Sequence, residues 1–385
     1  MFTFIPQQQL LETTTQTIVQ LTQTLSPITL VNILVANLLW AHLAFASVEL
    51  SRDIHHMLGH LWQLFAPHHL WHHAAYRTDY RKHWPSYHKS IWHHNLPESS
   101  LMVLVATAFC LLAQMLPVPS YALPGSIWVL GYALKTFGNT ILRLLKVQKA
   151  ISIDTMHPTT PLTEPPNIWV VNPSYHYRHH FSDPNAYFGV KTSVLDKLLK
   201  TALSLKGRRI YIDTPLGALN TPLRQHLEQA GAKLVPNTTQ PEDASILILD
   251  ISTIQGLCPE AIIHKMESFL ACVCTNEDIT TKEIWLLVSN TESAVAWTSL
   301  DDLYQRYLSD WITHRRLDAP CILRKIILHA PLDQARATKA ANQIVSAVQR
   351  DIRNILIGYS TWMILYQILK EWIVSNYFRF AAKQQ

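Results

Sequence analysis

The chain has 385 residues, 48% of them hydrophobic and only 15% charged, with a net charge of +5 when histidine is neutral. So mild and scattered a positive charge excludes a nucleic-acid binder. The low charged fraction argues against an ordinary soluble protein, and the length allows two or three structural units. Cys110, Cys258, Cys272, Cys274 and Cys321 form no paired framework, which points to a reducing compartment. Cys272 and Cys274 make a C-x-C without the second pair a zinc site wants, and are read as buried apolar thiols.

In chain order, residues 1–27 form an N-terminal segment without Lys or Arg, too long for the n-region of a cleaved signal. Residues 28–48, "ITLVNILVANLLWAHLAFASV", carry no charge and match the length of a bilayer span. Residues 99–116 are a second candidate. A weaker third runs from Ser126 to Leu145 and contains Lys135 and Arg143. If all three cross, residues 49–98 and 146–207 emerge on one side, with Arg52, Arg77, Arg81, Lys82, Lys89, Lys146 and Lys149. The positive-inside rule makes that side cytoplasmic.

Fifteen of the 20 histidines lie between His55 and His180. All of them fall on that predicted side. His56 and His60 form H-x3-H. His69, His72 and His73 form H-x2-HH, as do His176, His179 and His180. On a helix, positions i, i+3 and i+4 share a face, so each box can aim two or three imidazoles at one point. Neutral imidazole is a common ligand for iron, zinc and copper. These eight exceed what one tetrahedral ion needs, and a pair of metal ions is the economical inference. His157 follows the third apolar segment and can reach the group. His93 and His94 are possible extra ligands, while His55, His68, His83 and His88 are read as surface residues. Asp53, Glu98, Asp154 and Asp183 lie close enough in sequence to orient ligand rings, or equally to cap helices and form salt bridges.

"DIHHMLGH", "HHLWHH" and "NPSYHYRHHFSDPNAYFGV" resemble the boxes of the membrane fatty acid hydroxylase/sterol desaturase superfamily, over about residues 30–205. The resemblance implies a helical integral membrane domain with a cytosolic centre of two iron ions that activates dioxygen against a lipid C–H bond. Carried over by motif, His56, His60, His69, His72, His73, His157, His176, His179 and His180 are the expected metal ligands. The usual H-x3-H partner of His157 would fall at Ile153, so that box is incomplete.

After Gly207 the pattern changes. "RRIYIDT", "AKLVPNT", "SILILDI", "KEIWLLVS" and "CILRKIILH" are short β-rich runs, several separated by helical stretches, which reads as an α/β domain with a mainly parallel sheet. The junction resembles cyanobacterial-type proteins in which the hydroxylase-like domain is fused to a short-chain dehydrogenase-like domain. The glycine-rich turn of a dinucleotide site is missing: Thr214, Pro215 and Leu216 precede Gly217. Tyr304 is followed four positions later by Leu308 rather than lysine, so the Tyr-x3-Lys pair is broken. We expect a Rossmann-like scaffold without catalysis, binding NAD(P) weakly if at all. From Ile355 the apolar tail has only 15 uncharged residues before Lys370, which favours an interfacial helix over a span.

The expected architecture is therefore an α-helical integral membrane domain carrying a histidine-box di-metal centre (28–205), a degenerate Rossmann-like domain (206–352) with no confident cofactor-binding residue, and a tail helix (353–385). The expected activity is di-iron, dioxygen-dependent hydroxylation or desaturation of a membrane lipid. No haem or iron–sulfur pattern is present, so electrons would come from an external donor of ferredoxin or cytochrome type. The rivals are a non-catalytic zinc-binding membrane protein and a membrane-anchored interaction scaffold.

Overall fold

In the computed structural model the described residues are 26–62, 66–77, 84–147, 157, 161–213, 217–236, 240–251, 258–289, 300–329 and 332–382. Asp154 and residues 1–25 lie outside them. The chain divides into two compact units that do not follow its linear order. The first comprises residues 1–55 and 88–151, the second 56–87 and 152–385.

The first unit is helical. Helix α1 is Pro27–Leu61, continuing into the second unit. Helix α2 is Ala66–Arg77, in the second unit. Helix α3 runs Trp84–Gln114 through a π-turn at Ile91–Asn95, and α4 is Leu123–Leu144. Helices α1 and α3 are long and apolar enough to cross a membrane. Their large side chains face outward: Leu34, Leu38, Leu39 and Leu43 on α1 are exposed, whereas Ala44, Val48, Met102, Ala106, Val129 and Ala133 form the interior. Small residues at the contact let helix backbones approach. Gly125 shows the limit: a Cβ there would lie 2.7 Å from the Asn37 carbonyl oxygen. Asn37 Oδ1 accepts from the Gly125 N–H, and Trp40 Nε1 donates to Ser126 Oγ at 2.7 Å.

The second unit is built on a sheet. Its strands are β1 Arg209–Ile212, β2 Lys233–Leu234, β3 Ile246–Asp250, β4 Glu283–Ser289, β5 Ile322–Leu328 and β6 Asn354–Ile357. All neighbours are parallel, in the order β2-β1-β3-β4-β5-β6. The five sequence-predicted strands are all present, with the crossover pattern of a doubly wound sheet that turns at β1/β3. Strands β3 to β5 are buried on both faces, as unbroken runs such as "ILILD" require. One face packs Ile248, Trp285, Leu287 and Ile326 against Ala341, Ile344 and Val345. The other packs Leu247, Leu249, Ile284, Leu286 and Leu323 against Met266, Phe269, Leu308 and Ile312.

Strand β6 departs from the sequence reading, which placed residues 354–357 in the apolar tail. Ile355 and Ile357 alternate inward, which is strand periodicity, and Gly358, at φ +85°, ends the strand. The tail helix begins afterwards, at Thr361–Ala382, with Trp362, Tyr366, Leu369, Trp372, Tyr377 and Phe380 exposed. All five cysteines are free; Cys110 and Cys321 are buried, whereas Cys272 is half-buried at the end of a helix and Cys274 exposed, against the expectation of buried thiols.

Candidate metal centre

The nine histidines carried over by motif all belong to the second unit. His56 and His60 are in the last two turns of α1, and His69, His72 and His73 lie on α2. The third box occupies helix α5, Pro173–Phe181, whose start is fixed by its sequence. Asn172 caps it by accepting from the Tyr175 N–H at 3.0 Å, and Pro173 stands at the first helical position.

The histidines meet in two groups that mix the boxes. His56, His60, His69 and His179 form one, and His72, His157, His176 and His180 the other. In the first, the Nε2 atoms of His56, His60 and His73 lie 3.0, 2.9 and 3.1 Å from His179 Nε2, and His73 is also 3.1 Å from His69. In the second, the Nε2 atoms of His157, His176 and His180 are mutually 2.9 to 3.2 Å apart. The rings of His73 and His180, 4.5 Å apart, join the groups. With His73 the first group has five imidazoles against four in the second, the group that contains His157 and its incomplete box.

Their mutual geometry fits metal ions. His179 Nδ1 lies 2.8 Å from the Ala186 carbonyl oxygen, which can only accept, so Nδ1 carries the proton and Nε2 presents a lone pair. One lone pair cannot serve three imidazole N–H groups, whereas a cation can collect every lone pair at once. A metal–nitrogen bond of about 2.0–2.1 Å implies neighbouring ligand nitrogens about 2.9 to 3.3 Å apart, which the observed spacings match. Burial, then the neighbouring His176, His157, His179 and His73, hold His180 well below the ordinary imidazole pKa. It is therefore neutral and able to ligate. Both groups are largely buried, with Phe188 against His60 and His179 and Tyr76 stacked on His157.

The other sequence-predicted residues are placed differently. His94 and Glu98 sit on α3 in the first unit with Nε2 and Oε1 3.2 Å apart, and His93 shares a surface of that helix with His88, Lys89 and Trp92. Asp53 is buried on α1, also in the first unit. Asp183 accepts from Ser204 Oγ at 2.6 Å and from the Asn185 N–H, so it secures a turn.

Sequence reasoning missed the residue that secures the loop beyond α5. Asp196 is fully buried. Its Oδ1 accepts from the Phe188 N–H and Thr201 Oγ1, and its Oδ2 from the Gly189 N–H and the Tyr175 hydroxyl, all within 2.7 to 2.8 Å. These donors fix residues 186–189, hence the carbonyl that orients His179. In "SVLDKLL" nothing distinguishes this aspartate from one in an ordinary first helical turn, where it does lie, on helix α6, Val194–Leu199.

In the α/β part, Asp213 at the end of β1 is bound by Lys265 Nζ at 2.7 and 2.8 Å. This ion pair stands beside the turn where a dinucleotide fold presents glycines; Thr214, Pro215 and Leu216 lie outside the described residues.

No family model and no solved structure matches the chain. The monoglucosyldiacylglycerol epimerase of Synechocystis sp. is 33% identical to it over 89% of this chain and 97% of the relative. The similarity thus runs through the apolar helices, the histidine segments and the sheet alike. With both chains covered nearly end to end at that identity, the protein belongs to the monoglucosyldiacylglycerol epimerase family.

Proposed function

We propose that the protein is a membrane-bound, metal-dependent epimerase of a glycosyl diacylglycerol, inverting one hydroxyl-bearing carbon of the headgroup sugar. The observation that carries this reading is the identity to the epimerase over 97% of that relative's length. The histidine groups supply the means: His56, His60, His69, His73 and His179 hold one ion, and His72, His157, His176 and His180 the other. Iron suits these nitrogen sites and changes oxidation state. Helices α1 and α3 cross the bilayer and α4 makes the third crossing that returns the chain to the side of His56 to His73, so a lipid substrate is met where it resides.

Inverting a carbinol carbon removes its hydrogen from one face and returns hydrogen to the other, while the hydroxyl oxygen stays in place. The reaction is redox-neutral overall. Hydroxylation, the expectation from the resemblance, instead adds one oxygen from O2 and takes two electrons and two protons to release water. Only that reaction needs an external electron donor. Held by these histidines, a redox metal pair would supply a reversible acceptor for the electrons of the C–H bond. The protein's own part is to hold the ligands, through Ala186 on His179, and to keep water away with Phe188 and Tyr76.

The test is turnover of monoglucosyldiacylglycerol in lipid nanodiscs by the purified, iron-loaded chain, with sugar analysis, lipid mass and oxygen uptake measured together. An epimeric sugar at unchanged lipid mass, without stoichiometric oxygen uptake, is expected. A product heavier by one oxygen with matching uptake would replace this reading by hydroxylation. Loss of activity on replacing iron with zinc is also expected.

A further inference from the structure

A run of buried charges crosses the second unit and has no part in holding metal. On α5, Arg178 stands about 200° around the helix from His176 and His180 and about 100° from His179, so it leaves the helix away from the imidazoles. The side chain is fully buried. Its Nε donates to the Thr280 carbonyl oxygen at 2.5 Å, Nη2 lies 3.5 Å from Glu283 Oε1, and the guanidinium sits over the Tyr187 ring. Glu283 in turn accepts from Arg324 Nε at 2.8 Å and Trp285 Nε1 at 2.9 Å. Arg324 reaches Asp351 Oδ1 at 2.6 Å and the Ile352 carbonyl oxygen at 2.8 Å. The chain segments around α5 are tied to the same part of the molecule. Leu162 N–H donates to Asn276 Oδ1, Lys197 Nζ to the Arg350 carbonyl and Leu203 N–H to the Gln349 carbonyl.

All these anchors lie at one end of the sheet. Glu283 opens β4, Arg324 is the third residue of β5, and Asp351 precedes β6. Doubly wound sheets hold nucleotides beyond the opposite, carboxyl ends of their strands. Seven residues of β4 put the two ends about 20 Å apart at roughly 3.3 Å per residue. A nucleotide at the usual crevice would be remote from α5.

We propose that the α/β half is the frame that sets the third histidine box, with Arg178 as the positioning residue that couples α5 to Glu283, Arg324 and Asp351. The functional consequence rests on the reading that the histidines hold metal; the mechanical coupling does not. Neutralising the frame should shift His176, His179 and His180 and weaken binding at both ions, since orienting partners of metal ligands typically affect affinity about 10–100-fold.

The experiment uses the full chain in nanodiscs, stripped of metal and titrated with cobalt(II), whose visible absorption reports ligand number. Arg178→Met should bind cobalt at least about tenfold more weakly, with an altered spectrum, and Arg178→Lys should recover part of the loss. A folded Arg178→Met protein with the unaltered chain's affinity and spectrum would overturn the proposal. Should Arg178→Met not fold, Glu283→Gln is measured in its place, with the same expected and overturning results. Hydrogen–deuterium exchange of residues 173–181 in metal-free protein is read in parallel. Faster exchange of residues 173–181 and the 186–189 loop in Glu283→Gln, beyond the change seen in strands β4 and β5, supports the coupling, and exchange there that is unchanged or rises no more than in the strands refutes it. If the unaltered chain binds no cobalt, the metal reading fails, and the exchange result alone decides whether the frame holds α5.

Discussion

Asparagine in place of Asp196 tests whether the loop after α5 is what orients His179. The carboxylate receives four hydrogen bonds, two on each oxygen, and each oxygen serves one backbone N–H and one hydroxyl. The amide keeps one oxygen and turns an NH2 toward the other pair of donors. Tyr175 or Thr201 can rotate its hydroxyl to accept, but the backbone N–H of Phe188 or Gly189 cannot, and it is left facing a donor. Two charge-assisted bonds at about 1.5–3 kcal/mol each are lost, and one is partly recovered by the rotated hydroxyl. Burial raises the Asp196 carboxyl pKa, with its donors pulling the other way, so a neutral group also returns part of the desolvation cost. The expected net cost is about 2–4 kcal/mol. It should appear in chemical unfolding followed by circular dichroism, together with selective loss of metal from the group containing His179. Stability within about 0.5 kcal/mol of the unaltered protein and full metal content would refute the reasoning.

Three further outcomes are expected. His179→Ala should cost the ion held with His56 and His60, and His72→Ala the other, so each single variant retains about one equivalent of metal by elemental analysis; equal loss from both would mean the groups are not separable sites. Gly125→Ala places a Cβ 2.7 Å from the Asn37 carbonyl oxygen, and overpacking of that kind should cost about 1–3 kcal/mol in detergent-solubilised protein. Burial alone would raise the Glu283 pKa, but Arg324 and then Arg178 outweigh it and hold it below the ordinary 4.5. The depressed value means that its stabilisation is present above about pH 4.5 and is lost as pH falls through the folded-state value. Glu283→Gln should therefore be less stable by about 3–5 kcal/mol at pH 7, with the gap closing only in acid; a gap that closes between pH 5 and 8 would contradict the assignment.

What the sequence disclosed follows from how local each signal is. The imidazoles at i, i+3 and i+4 need only a helix to converge, and α1, α2 and α5 supply it. Strands β3, β4 and β5 are unbroken apolar runs and were legible for the same reason. Strand β6 was not, because Ile355 and Ile357 merge with the apolar residues of the helix that follows. The composition of each histidine group is a tertiary property: His179 leaves its neighbours His176 and His180 to join His56, His60 and His69. Asp196 and Arg178 were illegible because their importance lies in what reaches them, a loop closing back and the start of an interior strand more than 100 residues ahead.

Boxes resembling those of hydroxylases in a chain belonging to an epimerase family pose a chemical question rather than a contradiction. On the proposed mechanism inversion begins as hydroxylation does, by taking hydrogen from a carbon that is not activated by a neighbouring carbonyl. They part at what comes back: oxygen in one case, hydrogen on the opposite face in the other. The ligand set required for the first half is therefore shared, and the distinction must reside in the residues that decide what reaches the carbon. In this protein the histidines are closed in by Phe188 and Tyr76, and α5 is tied by Arg178 to Glu283 at the start of β4. Rigid support fits inversion well, since a sugar carbon must be presented first by one face and then by the other to a fixed centre. On that view the α/β half matters for its stiffness at the strand ends facing α5, whatever became of the crevice at the far end.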